Sequence, residues 1–154
     1  MKKHLIYGLI LVIFCVAPLS ATNVSFLVME TGLPKDGPSS PYTIMWENGL
    51  MDVFFEYGHI VSNSPIMRIF QKPLDGFPDE AERDFDDAKE GGMRYFVIAI
   101  VEHPIPYKVS LRLFNTSSQE MLRELVYTYK TPKTEKEEND NIKKAVAEIA
   151  ARLK

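Results

Sequence analysis

The stretch Gly91-Gly92-Met93-Arg94-Tyr95-Phe96-Val97-Ile98-Ala99-Ile100-Val101 decides the fold. The paired glycines stop a helix, and the run after Arg94 is apolar at odd and even positions alike. Side chains alternate across a strand, so a strand that is apolar on both faces needs cover on both sides. This one belongs in the centre of a sheet. Upstream, Asp79-Glu80 open a helix whose acids suit the positive end of its dipole and whose inner face is Ala81, Phe85 and Ala88. Downstream, Tyr107 to Phe114 alternates, with Val109, Leu111 and Leu113 on one face and Lys108, Ser110 and Arg112 on the other. Asn115-Thr116-Ser117-Ser118 turns the chain, and Met121 to Tyr129 returns as a β-prone run, which makes a hairpin.

The remaining elements are read from local pattern. Val24 to Thr31 is short, apolar and β-prone, and it ends at Gly32-Leu33-Pro34. Lys35 to Pro41 is a loop by composition. From Ile44 to Tyr57, Trp46, Leu50, Val53, Phe54 and Tyr57 fall at helical spacing, with Glu47, Asn48, Asp52 and Glu56 opposite them. Gly58 ends that helix. His59 to Phe70 is β-prone but broken by Pro65, so it reads as an edge strand or as two short pieces. After Pro132 the charged stretch Lys133 to Asp140 leads to a final helix striped with Ile142, Ala145, Val146, Ile149, Ala150 and Leu153. The order βαβαβββα implies an α/β (α+β) fold, a mostly antiparallel sheet of about five strands with helices on one face.

At 154 residues, 45% hydrophobic and 25% charged, the chain has the length and balance of one packed domain. Its amino terminus reads as an export signal. Met1-Lys2-Lys3-His4 is a basic start, Leu5 to Val16 an apolar run, and Ala17-Pro18-Leu19-Ser20-Ala21 offers small residues to a signal peptidase. The apolar run falls short of the roughly 20 residues a membrane-crossing helix needs. The expected division is a signal peptide over 1–21 and a single α/β domain over 22–154. Cys15, the single cysteine, lies within the signal and is preceded by Phe14, where a bacterial lipoprotein needs a small residue, so no lipobox is present. The mature chain has no cysteine, and its core must supply its stability without a disulfide. The net charge of -3 becomes more negative on loss of Lys2 and Lys3, which argues against a nucleic-acid partner. The expected location is periplasmic.

The helix ending Lys89-Glu90-Gly91-Gly92-Met93, the strand Arg94-Tyr95-Phe96-Val97-Ile98, the hairpin from Val109-Ser110-Leu111-Arg112-Leu113-Phe114 to Leu122-Arg123-Glu124 and the helix Ile142 to Leu153 follow in a familiar order. In this the chain resembles a superfamily of periplasmic accessory proteins. The group contains the curli secretion lipoprotein, the flagellar outer-membrane accessory protein, the penicillin-binding-protein activator lipoprotein and the N-terminal domain of the Tol translocation protein. The lead-in Gly92-Met93-Arg94-Tyr95 and the strand Val109 to Leu113 are similar to recurring segments of that group. Ser117-Ser118 stands where its members carry a Thr-Gly turn. The resemblance implies a non-catalytic adaptor that binds an envelope protein and needs no cofactor. In it Leu111 and Leu113 match core positions and Arg112 an outward one.

The residues themselves carry little catalytic signal. The mature histidines are His59 and His103, and no spacing of ligands makes a metal motif. A serine-nucleophile elbow, a phosphate-binding glycine loop and a dinucleotide fingerprint are all missing. Asp79-Glu80, Glu82, Asp84 and Asp86-Asp87 read as a solvated helix face. Glu102-His103 at the end of the central strand leaves a small hydrolase as one alternative. A small-ligand carrier, with the loop from Lys35 to Ser40 closing over a pocket between sheet and helix, is another. The leading expectation is a partner-binding surface on the hairpin, made of Lys108, Arg112, Arg123, Tyr127 and Tyr129 together with the loop from Gly32 to Pro41. Tyrosine there suits contacts on an uncovered sheet face. Amino-terminal sequencing of the exported protein is expected to read from Thr22 or Ala21; a start at Met1 or Lys2 would mean the signal is retained.

Overall fold

The computed structural model describes residues 21–70, 76–104, 108–128 and 134–153. The export segment 1–20 lies outside them, as does Tyr129. Strand β1 (Asn23–Thr31) leads into helix α1 (Pro41–Glu56), then β2 (Ile60–Asn63) and the two-residue β3 (Met67–Arg68). A single helical turn at Asp79–Ala81 runs into α2 (Glu82–Glu90), followed by β4 (Tyr95–Glu102), β5 (Lys108–Asn115), β6 (Met121–Thr128) and α3 (Glu135–Ala150). The fold class and order of elements are as the sequence indicates. The broken run at Pro65 becomes β2 and β3, which pair in turn along β1.

The strand order is β2-β1-β4-β5-β6, with β3 also on β1. Pairing is parallel wherever a helix connects the lanes, at β1 with β2, β3 and β4, and antiparallel through the β4–β5–β6 meander. Sheet topology corrects one expectation, that all the helices share a face. Helices α1 and α3 pack on the face of Phe26, Val28, Val97, Ala99, Leu111 and Leu113. Helix α2 packs on the other, where Ala81, Phe85 and Ala88 meet Leu27, Met29, Phe96, Ile98, Ile100 and Phe114. The cause is handedness. The crossover from β1 to β2 steps one way along the sheet, and the one from β3 to β4 steps back across β1. Right-handed crossovers in opposite directions place their helices on opposite faces.

The helix ends follow from local chemistry. Pro41 occupies the first turn of α1, and the Ser40 hydroxyl accepts from the Tyr42 N–H. Trp46, Leu50, Val53 and Phe54 are buried as their spacing predicts, whereas Tyr57 lies at the C-cap and is exposed. Helix α3 begins earlier than the apolar stripe suggests. Thr134 caps it by accepting from the Glu137 N–H, and Glu135, Glu137 and Glu138 then sit at the positive end of its dipole. The charged stretch is therefore the opening of the helix. Its stripe from Ile142 to Leu153 is buried throughout. Gly49 of α1 faces Ile142 so closely that any Cβ there would collide with the Ile142 side chain, which sets how near α1 and α3 approach.

Glu138 is fully buried in the first turn of α3. Burial pushes its carboxyl up from the ordinary value, against a smaller opposing effect of the Trp46 indole beside it. Its contribution favours the folded state most below the ordinary carboxylate range and fades as pH rises through the raised folded value. Glu138→Gln is expected to raise the melting temperature at pH 8 by on the order of 3 °C, with a smaller gain at pH 4. A thermal melt at both pH values checks this, and an equal shift at both would contradict it.

Candidate interaction surface

The parallel strands β1 and β4 end side by side at Thr31 and Glu102, next to the amino terminus of α1. Glu30, one residue from the end of β1, is fully buried there. Arg68 of β3 donates to Glu30 Oε1 from Nη2 at 2.6 Å and from Nε at 3.0 Å. The Ser40 N–H donates to the other oxygen at 3.1 Å, and the Thr43 hydroxyl also bonds the carboxylate. Burial alone would raise the Glu30 pKa, but these donors and the Arg68 charge outweigh it and hold the carboxyl below its ordinary value. Thr43 Oγ1 and His103 Nε2 lie 3.3 Å apart, within hydrogen-bond reach. Burial lowers the His103 pKa, with Glu30 pulling the other way and Arg68 reinforcing the drop. The Thr43 hydroxyl belongs to a fully buried residue, so this relay presents no nucleophile to a solute.

Arg68 also fastens the loop after β1, donating to the carbonyls of Pro34, Pro38 and Gly37 at 2.9, 2.8 and 3.3 Å. Gly32 turns the chain into that loop at a φ of 82°, and a Cβ there would strike the His103 carbonyl. The loop from Lys35 to Ser40 is therefore strapped down by one guanidinium.

The hairpin residues divide between the two faces of the sheet. Lys108 and Arg112 point with Phe114 toward the side that carries α2; Arg123 and Tyr127 point toward α3. Lys108 Nζ reaches Glu102 at 3.0 Å. Arg112 is only 5% exposed; Nε donates to Glu124 across the strand pair at 2.8 Å and Nη1 to the Gly76 carbonyl at 2.7 Å. Its outward position on the strand is covered in the folded chain. Arg123 and the Tyr127 hydroxyl hold the two oxygens of Glu148 on α3, at 3.3 and 3.2 Å. The Tyr127 phenol is pushed up to about 12, by burial first and then by the Glu148 charge and hydrogen bond.

Apolar residues on β6, which the sequence reading passed over, are the exposed ones. Met121, Leu122 and Val126 are 39%, 45% and 52% exposed. Strand β6 is the outermost lane on its side, and its outer edge is unpaired among the described residues. The available signal was an apolar residue on each face of the last strand of a meander.

The sequence matches no protein-family profile and no curated protein. The fold, however, is like that of PelC. The PelC dodecamer from Paraburkholderia phytofirmans aligns with a TM-score of 0.52 at 12% identity, over 86% of this chain and 87% of that one. Lipoprotein GNA1162 from Neisseria meningitidis aligns at 0.48 and 12% identity, over 83% and 99%. The C-terminal domain of LpoB from Salmonella enterica aligns at 0.45 and 10% identity, over 75% and 87%. The likeness to PelC is one of fold.

Arg68→Ala strands the Glu30 charge inside the protein and is expected to cost about 3–5 kcal/mol, as breaking a buried pair from one side does. Urea unfolding measures it, and the double change Glu30→Met with Arg68→Met is expected to recover most of the loss. Because the Glu30 pKa is depressed by folding, the stability it contributes is present above its ordinary value and drains away as pH falls through the folded one. An Arg68→Ala protein as stable as the parent at pH 7 would contradict this account.

Proposed function

We propose that the chain is an exported, non-catalytic adaptor or assembly factor of the cell envelope, working in the periplasm and binding a protein component of an envelope machine through its β6 edge. The observation that carries the reading is the eight-residue edge strand β6, unpaired on its outer side among the described residues and exposing Met121, Leu122 and Val126. An edge of this length with apolar side chains is a template for another chain, and natural proteins blunt such edges when nothing is meant to pair there. The partner segment is an extended strand. Its main chain would pair with β6 while alternate apolar side chains meet Leu122 and Val126. Arg123 and Tyr127 lie on this strand, Lys108 lies on the neighbouring β5, and Arg112 supports the edge from within by bonding Glu124 of β6. Tyr129 follows Thr128 in sequence and lies outside the described residues. The non-catalytic reading is supported by the burial of Thr43 and by the pairing of Glu102 with Lys108, which leave the Glu102-His103 segment engaged in structure.

The test is capture of the tagged mature protein from cross-linked envelopes, with cross-links mapped to peptides and Leu122→Lys with Val126→Lys run in parallel. Recovery of one envelope component cross-linked to β6, reduced at least about tenfold by the double variant, supports the reading; tenfold corresponds to ~1.4 kcal/mol. The variant should keep its melting temperature, since exposed substitutions of this kind change stability by about 0.5 kcal/mol or less. Equal recovery with the folded variant rules the edge out.

A further inference from the structure

The edge strand β6 presents a defined row of side chains to whatever pairs with it. Its exposed positions alternate with half-buried ones, so Leu122, Glu124 and Val126 share the open face, while Leu125 and Tyr127 pack toward the core beneath α3. The cross-strand register agrees, setting Glu124 opposite Arg112 and Val126 opposite Ser110, in the row of β5 that ends at Phe114 and faces α2. Leu122 and Val126 are 45% and 52% exposed, and the Glu124 side chain between them is 36% exposed. An incoming strand therefore meets an apolar residue, a carboxylate and a second apolar residue at alternate positions.

Glu124 is held from the inner side of the sheet. Arg112, on the neighbouring β5, donates to its Oε1 at 2.8 Å from Nε and is itself only 5% exposed, so the guanidinium sits behind the carboxylate and not at the open edge. The other cations of the hairpin are engaged elsewhere, Lys108 with Glu102 and Arg123 with Glu148. A residue directly opposite Glu124 on an added strand would stand ~5 Å away between Cβ atoms, where opposite charges stabilise the pair and like charges destabilise it. The same rule counts against a second copy of this chain as the occupant. The antiparallel register that sets Leu122 of one copy against Val126 of the other sets Glu124 against Glu124. The net charge of -3 also favours a basic partner.

Resting on the reading of β6 as a binding edge, we propose that the strand it accepts carries one Lys or Arg with an apolar residue two positions away on either side. The cation pairs with Glu124 across the strands, and the apolar residues cover Leu122 and Val126. This pattern is the same in both chain directions, so it holds for parallel and for antiparallel addition.

The test titrates the mature protein at low ionic strength with three end-capped peptides, Thr-Val-Thr-Lys-Thr-Val-Thr and its relatives with Ser or Glu in place of Lys, followed by amide NMR shifts. The lysine peptide is expected to bind about fivefold tighter than the serine peptide, and the glutamate peptide weakest, in the range a cross-strand charge pair supplies. Shifted amides should cluster at 121–128. The preference for lysine should shrink as salt is added and should vanish in Glu124→Gln, which keeps an acceptor for Arg112. A melting temperature establishes that this variant folds, and the peptide ranking and its salt dependence decide the matter without it. Equal binding of all three peptides at 121–128 overturns the inferred partner chemistry and leaves the β6 edge standing. No saturable binding of any peptide up to about 5 mM, or shifts confined to another part of the sheet, overturns both. A parent protein that is dimeric by sedimentation, and monomeric as Leu122→Lys with Val126→Lys, would make a second copy the occupant and overturn the proposal.

Discussion

Everything in this fold depends on burying β1 and β4 against one another on both faces. The two strands pair in parallel from Val24 and Tyr95 to Thr31 and Glu102, and nearly all their side chains are inside. A parallel pair cannot be closed by a tight turn, so a helical crossover must join its lanes. Two apolar faces also cannot be covered by helices on one side. The placement of α1 and α3 on one face and α2 on the other is the solution that right-handed connections allow. The antiparallel half, from β4 to β6, is built outward from that pair and becomes progressively less covered, until β6 alternates between half-buried and exposed residues.

The carboxyl end of the central pair has a different problem, because there the sheet ends in polar groups that are still buried. Glu30 answers it by collecting donors from two separate parts of the chain: Arg68 of β3, and the Ser40 N–H with Thr43 at the start of α1. The carboxylate also lies at the amino terminus of α1, where the helix dipole favours a negative charge. One buried acid thus orients β3, the loop and the start of α1 together. Open α/β sheets commonly bind ligands at this end. Here Arg68 and the strapped loop fill the place.

What could be read from the sequence was whatever a few neighbouring residues determine. The unbroken run at β4, the alternation of Val109, Leu111 and Leu113, and the stripe from Ile142 to Leu153 each carry their own period, and each holds in the structure. The side on which α2 lies depends on strand order, which no local window contains. Strand parity already separates Arg112 from Leu111, but its burial depends on Glu124 and on the Gly76 carbonyl, 36 positions away. Likewise nothing near Glu30 announces Arg68, 38 positions on. The apolar residues of β6 were in plain view as composition; only the topology shows that they end on an edge.

The two edges of the sheet differ in a way that separates their roles. Strand β2 is short, ends before Pro65, and is bordered by hydroxyls and the carboxylates of α2. Strand β6 is twice as long, contains no proline, and places Val126 and Leu122 where a strand of another protein would bury them. Its charges, Arg123 and Glu124, are turned back into the domain by Glu148 and Arg112. Charged side chains on an edge ordinarily deter pairing. By tying both of them to its own body, the chain removes that deterrent from the one long edge it leaves open among the described residues, which is the arrangement a protein-binding edge requires.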